Sequence, residues 1–185
     1  MKIYPAKSFD IPDIMKIEHA AFIPEIQEKQ KTFEERLSTF PEGFFVLADN
    51  SAETVLQNGK PLIAGYFTSE IWSFLPQNDE VFTLGHSASH FHDKNGPVLY
   101  FSSFALLPAW QGKGLSENFL TDCLDSVCGA FTNIKKIALL VNDEWQGARH
   151  VYEKLGFTEI RRIKGFFPSL KTQSSDGIVM TKDVR

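Results

Sequence analysis

Gln111-Gly112-Lys113-Gly114-Leu115-Ser116 lies between an apolar run, residues 98–107, and a helical apolar pattern over residues 120–127. Pro108 ends the apolar run, so the predicted order is strand, glycine-rich turn and helix. Glycine lets the backbone approach a ligand closely, and the N–H groups of a first helical turn attract anions. The helix dipole adds roughly half a positive charge there, and Lys113 adds a full one. The stretch therefore predicts a phosphate-binding turn, although a plain strand–turn–helix connection has the same pattern.

A second stretch decides between these two interpretations. It reads Asn142-Asp143-Glu144-Trp145-Gln146-Gly147-Ala148-Arg149-His150-Val151-Tyr152-Glu153-Lys154-Leu155-Gly156-Phe157. Asn142 or Asp143 is predicted to cap a helix, and apolar residues recur behind it at helical spacing. Gly156 is predicted to end that helix, and Phe157 to begin a strand.

Together, the two motifs resemble those of the GNAT acetyltransferase superfamily. Gln111-x-x-Gly114-x-Ser116 resembles its pyrophosphate loop, with Ser116 in place of the usual glycine or alanine, and residues 142–157 resemble its Asn…Tyr-x-Lys-x-Gly-Phe signature. The resemblance implies an α/β fold, in which helices flank a central mixed, twisted sheet, and one domain spanning residues 1–185. Within the superfamily the chain is most similar to arylalkylamine N-acetyltransferases, through Ile17-Glu18-x-Ala-Ala-Phe-Ile and Thr83-Leu84-x-His86.

The resemblance implies acetyl-CoA as co-substrate and direct attack without a covalent enzyme intermediate. No metal is expected, because the spacing of Cys123 and Cys128 does not favour a metal site and no nearby cysteine completes a ligand set with the loop histidines. Tyr152 would protonate the leaving sulfur, although a lone tyrosine at such a position would otherwise be interpreted as a core residue. The backbone N–H of Leu106 would donate to the thioester oxygen. The residues implied to hold the cofactor are Phe104, Ala105, Leu106, Leu107, Gln111, Gly112, Lys113, Gly114, Leu115, Ser116, Asn142 and Tyr152.

The group that takes the proton of the acceptor amine stays open at this point. Arylalkylamine N-acetyltransferases use two histidines on the central strand, and the matching positions here are Tyr100 and Ser102. Either residue could order a water chain. Glu70, and His86 or His90, are rival bases, and each could equally be structural. Glu18, on the first predicted helix, is interpreted as a solvated acid.

A primary amine of a small molecule is the predicted acceptor, and the branch resemblance suggests an arylalkylamine. Residues 22–40 are implied to wall the acceptor site, with Phe22, Phe33, Phe40 and His86 as candidate substrate residues. Two alternatives stay open: acetylation of a protein N-terminus or lysine, and a non-catalytic domain that senses acyl-CoA.

The remaining elements follow from periodicity and turn residues. Asp10 is predicted to cap the first helix, and Thr32 with Glu35 forms a capping box for a second helix that ends near Phe40. Asn58-Gly59 predicts a hairpin turn, and residues 73–97 a polar loop with solvent-exposed histidines. The predicted strands are residues 2–6, 43–48, 62–72, 98–107, 136–141, 157–163 and 178–180, with a loop over residues 165–177.

Composition sets the broad class of protein. The chain has 185 residues, of which 43% are hydrophobic, and a net charge of −4, which argues against a nucleic-acid or anionic-membrane binder. No apolar run reaches the roughly 20 residues that a membrane span requires, and the N-terminus does not resemble a secretion signal. Cys123 and Cys128 are predicted to be free thiols of a cytoplasmic protein, and we expect a monomer or homodimer.

Overall fold

The computed structural model describes residues 1–50 and 61–184 and is organised around strand β4 (Val98–Leu106). This strand pairs antiparallel with β3 (Leu62–Trp72) and parallel with β5 (Lys136–Asn142). The sheet has seven strands in the order β1-β2-β3-β4-β5-β7-β6, and β4–β5 is the one parallel pairing among the described residues. The outer strands are β1 (Lys2–Pro5), β2 (Phe44–Asp49), β6 (Thr158–Pro168) and β7 (Ser174–Asp183).

Helices cover both faces of this mixed sheet, as predicted. Helices α4 (Leu115–Ala130) and α5 (Gln146–Lys154) pack on one face, where Leu120, Leu124 and Val127 meet the apolar side chains of β4 and β5. Helices α1 (Ile11–Ala21) and α2 (Gln30–Thr39) pack on the other face against β2 and β3. A short helix α3 (Ala88–Phe91) lies in the connection between β3 and β4.

The two central strands diverge halfway along β4. Their pairing runs from Val98 with Lys136 to Phe101 with Leu139, after which β4 stays paired with β3 and β5 with β7. The pairing of β3 with β4 shifts between Thr68 and Ser69, which leaves Ser102 as the extra residue of a β-bulge. A gap therefore opens in the sheet between the second halves of β4 and β5.

Two predicted helix starts are wrong. Helix α2 begins at Gln30 after the cap residue Lys29, so Thr32 lies inside the helix and does not cap it. Helix α5 begins at Gln146 after Trp145, whereas Asn142 ends β5 and Asp143 lies in the turn between them. In both cases the residue types fit a cap, but the cap position is taken by Lys29 and by Trp145.

The C-terminal hairpin is longer than predicted. Strands β6 and β7 extend through most of residues 165–177, which the sequence predicts to be a loop. Strand β6 lies at the edge of the sheet and is mostly exposed, so its side chains lack the apolar alternation that would predict a strand. The predicted Asn58-Gly59 turn lies outside the described residues.

Candidate active site

Two cavities meet at the gap between β4 and β5. The larger one, the large groove, has a volume of about 550 Å³ and runs along the start of α4 and one side of α5. The smaller one, the small cavity, has a volume of about 110 Å³ and lies on the side of α1 and the β3–β4 connection. Both are lined by Phe22, Phe104, Trp145 and Tyr152.

The glycine turn forms one end of the large groove. Gly112 and Gly114 have φ of +70° and +73°, values that glycine adopts without strain. Gly114 is the cap residue of α4, and no side chain caps this helix N-terminus, so its first N–H groups are free to bind an anion. The Gln111 side chain donates from Nε2 to the Leu106 carbonyl at 2.9 Å and thereby ties the turn to the end of β4.

The backbone of β4 forms a second wall of the groove. The Leu107 N–H donates to the Ala64 carbonyl at 2.8 Å, which makes these two residues a hydrogen-bonded pair with β3. Because the backbone groups of successive residues in an antiparallel pair point in opposite directions, those of Leu106 and Phe104 point away from β3 and toward the gap. An extended molecule lying in the gap can pair with these groups as an additional strand would.

Tyr152 lies where the two cavities meet. It is on α5, its side chain is only 8% exposed, and its ring packs edge-on against Phe101 and Phe157. Burial raises the pKa of its hydroxyl above the ordinary value of 10, so the phenol keeps its proton at neutral pH. It is therefore placed to act as a proton donor at the junction of the cavities.

Four predicted cofactor residues lie away from the lining of the large groove. Leu107, Leu115, Lys113 and Asn142 are not among the described residues that line it. The Lys113 ammonium lies 4.8 Å from the centre of the Trp110 ring. The Asn142 side chain accepts from the Glu144 N–H and the Ser175 hydroxyl, both at 2.9 Å, and so holds the turn that leads into α5.

Aromatic rings wall the small cavity, but not all of those predicted. Phe22 packs on Trp145 with ring centres 5.5 Å apart, and Trp145 packs on Phe167 of the C-terminal hairpin at 5.7 Å. Phe33 and Phe40 are buried in the core and are absent from the described lining of both cavities. The acceptor-wall assignment is therefore corrected at these two positions, since packing inside the fold accounts for both.

Glu18 lines the small cavity, and its interpretation as a solvated acid is wrong. Its side chain is 1% exposed and accepts hydrogen bonds from the Tyr66 hydroxyl and, at 2.8 Å, from the Glu28 N–H. Burial raises its pKa from 4.5 to about 7, against the opposing effect of these hydrogen bonds. The spacing of Ile11, Ile14 and Glu18 already places the glutamate on the apolar stripe of α1.

A buried ion pair forms the neighbouring wall. Arg36 Nη2 lies 2.8 Å from Glu28 Oε1, with the two side chains 2% and 8% exposed. The other Glu28 oxygen accepts from the Gly85 N–H at 3.0 Å, which links α2 to the β3–β4 connection. Arg36 Nε and Nη1 have no hydrogen-bond partner in the part of the chain that is described.

The sequence predicts His86 to be exposed with the other loop histidines, but its side chain is only 5% exposed. It lines the small cavity and its Nε2 is hydrogen-bonded to Glu70, which is itself 1% exposed. Glu70 is not among the lining residues, so it reaches the cavity through His86. His90 is exposed, as predicted, whereas His92 is partly buried and accepts from the Ile71 N–H at 3.1 Å.

Tyr100 and Ser102 both line the small cavity. Tyr100 stacks on Trp72 with ring centres 4.1 Å apart, and burial raises the pKa of its hydroxyl. Ser102, the bulge residue, shares a hydrogen bond of 2.8 Å with the Thr68 hydroxyl. The structure thus brings the predicted residues Tyr152, Tyr100, Ser102 and His86 to one cavity.

Two properties of residues 1–50 and 61–184 bear on the type of site. No helix in these ranges is both long and apolar enough to cross a lipid bilayer. Nor do three or more His, Cys, Asp or Glu side chains in these ranges converge in a way that could hold a metal ion.

The sequence matches one model of a known protein family. A family model described as the acetyltransferase (GNAT) family matches residues 11–157, which include the glycine turn and Tyr152. No curated protein matches the sequence. The comparisons do not distinguish the arylalkylamine branch, which stays a prediction.

Solved structures with the same fold span the whole chain. The ribosomal-protein-S18-alanine N-acetyltransferase from Escherichia coli is 19% identical with a TM-score of 0.70, over 99% of this chain and 93% of that one. NAA60 from Arabidopsis thaliana, solved with a bisubstrate analogue, is 13% identical with a TM-score of 0.75, over 100% and 98% of the two chains. The GphF GNAT-like decarboxylase, solved with isobutyryl-CoA, is 14% identical with a TM-score of 0.77 over 100% of both chains. At these identities the likeness establishes the fold alone.

Proposed function

Because this chain belongs to the acetyltransferase (GNAT) family, we propose that it transfers the acetyl group of acetyl-CoA to a primary amine of a small molecule. The observation that carries this proposal is the junction of the two cavities at Tyr152. One cavity fits a long, anionic cofactor, the other fits a small acceptor, and a buried phenol lies between them.

The large groove supports acetyl-CoA as the co-substrate. Its glycine turn presents uncapped N–H groups at the start of α4, which suit a pyrophosphate. The backbone groups of Phe104 face the gap, where the amide-bearing pantetheine arm would pair with them, and the Leu106 N–H, which also faces the gap, is left to bind the thioester oxygen. The acetyl group would then lie at Phe104 and Tyr152, which line both cavities.

The reaction we infer is direct attack in a ternary complex. The amine nitrogen attacks the thioester carbon, the Leu106 N–H donates to the oxygen as it becomes negative, and the carbon–sulfur bond breaks. A thiol has an ordinary pKa of ~8.5, so the sulfur ends the reaction as a thiol at neutral pH. Tyr152, whose phenol is protonated at that pH, donates to the sulfur as the carbon–sulfur bond breaks and is reprotonated by the proton that the nitrogen loses as the amide forms.

The size of the small cavity favours a small acceptor. The cavity has a volume of about 110 Å³. The β6–β7 hairpin forms one of its walls through Phe167. A peptide would need an open groove for the residues that follow its N-terminus, and the packing of Phe167 on Trp145 narrows the space available.

The free thiols of Cys123 and Cys128 fit a reducing compartment, and we propose the cytoplasm as the location.

Release of free coenzyme A thiol from acetyl-CoA tests the proposal. The panel of acceptors contains phenethylamine, tryptamine, spermidine, an aminoglycoside, free amino acids and short peptides. Turnover with one class of small amine supports the proposal and identifies the acceptor. Turnover with peptides alone would replace it by protein acetylation. Binding of acetyl-CoA without turnover of any acceptor would favour an acyl-CoA sensor.

A further inference from the structure

An aliphatic amine has a pKa near ~10 and is therefore an ammonium ion at neutral pH, which cannot attack a thioester. Resting on the proposed function, we propose that Ser103, Tyr66 and Glu18 form a proton relay that takes the ammonium proton, with the Glu18 carboxylate as its final acceptor. None of these three residues is among the bases that the sequence suggests.

A continuous chain of hydrogen bonds joins the three side chains. The Tyr66 hydroxyl lies 3.0 Å from the Ser103 hydroxyl and donates to Glu18 Oε2. A phenol has one proton to donate, so Ser103 must be the donor in its bond with Tyr66. The lone pairs of the Ser103 oxygen are then free to accept from a third group.

That third group would be the ammonium ion. Ser103 and Glu18 both line the small cavity, and Ser103 directly precedes Phe104, which lines both cavities. The start of the relay is thus adjacent to the junction with the large groove, whereas its end is buried on α1. Each hydrogen bond points in the direction in which the proton must move.

The surroundings of Glu18 suit a proton acceptor that must also release its proton. Tyr66 from β3, Glu28 from the segment before α2 and Arg36 from α2 are the titratable groups that face it. Burial and the Glu28 charge favour the protonated form, whereas the two hydrogen bonds and the Arg36 charge favour the carboxylate. The resulting pKa of about 7 lets both forms exist at neutral pH.

The protons balance over the complete reaction. The ammonium nitrogen gives one proton through Ser103 and Tyr66 to Glu18, which leaves a neutral amine. The amine attacks, the carbon–nitrogen bond forms and the carbon–sulfur bond breaks, and Tyr152 protonates the sulfur. Tyr152 then recovers a proton from the nitrogen as the amide forms. Glu18 releases its proton to solvent before the next turnover.

The test compares two acceptors that differ in basicity. Phenethylamine is an ammonium ion at pH 7, whereas its β,β-difluoro analogue is far less basic and has a large neutral fraction at that pH. If another amine of the panel is the better acceptor, that amine and its fluorinated analogue are used. We expect Glu18→Gln to lower kcat/KM at pH 7 about 100-fold for the basic amine and less than threefold for the fluorinated one. Equal losses for both amines, or no loss for either, would overturn the relay.

Two serines provide a matched pair of variants. Ser103→Ala removes the entry to the relay and should reproduce the selective loss for the basic amine. Ser69→Ala removes a buried hydroxyl from β3 that donates to the Gly43 carbonyl at 3.0 Å and lines neither cavity in the described structure, so it should spare both amines. If Glu18→Gln does not fold, Tyr66→Phe breaks the same chain and should give the same selectivity.

A measurement on the protein alone separates this proposal from the proposed function. Infrared difference spectra between pH 5.5 and pH 8.5 should show a protonated carboxyl band that disappears with a midpoint near pH 7 and is missing in Glu18→Gln. If the wild type turns over none of the amines, the proposed function fails, and the band still decides whether Glu18 can take and release a proton. The same spectrum in the wild type and Glu18→Gln would overturn the assignment.

Discussion

Replacing Glu18 with glutamine should remove a pH dependence of stability that the wild type carries. The pKa of this carboxyl is about 7 in the folded chain, against an ordinary value of 4.5. Between these two pH values the folded chain holds the proton and the unfolded chain has lost it, so the free energy of unfolding falls as the pH rises. The full effect is about 3 kcal/mol, and most of it lies between pH 5 and pH 8.

Urea denaturation followed by tryptophan fluorescence at pH 5, 6, 7 and 8 measures this effect. The difference in the free energy of unfolding between Glu18→Gln and the wild type should grow in favour of the variant by about 2–3 kcal/mol across this range. The amide still accepts from Tyr66, so any constant offset is separate from the slope. Glu25→Gln, the same change at an exposed position, is the control. A difference that does not vary with pH would refute the buried titration.

Three further variants test other parts of the site. Tyr152→Phe should lower kcat at least 100-fold while the Kd of acetyl-CoA, measured by calorimetry, changes less than twofold; an unchanged kcat would remove Tyr152 as the acid. Gly112→Asp should weaken acetyl-CoA binding at least tenfold, about 1.4 kcal/mol, relative to Gly112→Asn, which tolerates the same φ without the charge; equal affinities would contradict a phosphate at the glycine turn. Arg36→Met should destabilise the fold by about 3–5 kcal/mol in urea denaturation because it leaves Glu28 buried without its partner, whereas the exposed Lys16→Met should cost about 0.5 kcal/mol or less; a loss below about 1 kcal/mol at Arg36 would show that the pair is not the buried ion pair described.

The central part of the fold could be predicted because its signals are local. The glycine turn can be recognised from six residues of sequence. Gly112 and Gly114 have left-handed backbone angles, which glycine adopts without strain. The buried strand β5 is apolar almost throughout, and Gly156, at φ +89°, ends α5 as predicted. Each of these features depends on near neighbours in the sequence, so no distant contact is needed to recognise it.

The acid and base groups of the site could not be predicted in the same way, because distant contacts determine them. Glu18 fits both a solvated acid and a buried one until Tyr66, 48 residues later, is placed against it. His86 becomes buried through its bond with Glu70 on β3 and through ring contacts with Trp72 and Tyr100. Phe33 and Phe40 are apolar whether they wall a cavity or fill a core, so composition alone does not separate these roles.

The divergence of β4 and β5 leads us to expect two cooperative folding units in the sheet. Strands β1 to β4 are joined by antiparallel ladders, as are β5 to β7, but in the described part of the chain the pairing of β4 with β5 connects the two groups through four residue pairs. Amide hydrogen exchange should therefore find two classes of protection, with opening along this connection as the lowest-energy fluctuation of the sheet. Acetyl-CoA lying in the gap would replace the missing hydrogen bonds between the units. A free acetyl-CoA concentration of 100 times its Kd would add about 2.7 kcal/mol to the free energy of unfolding. The two classes of amide would then approach a single rate of exchange.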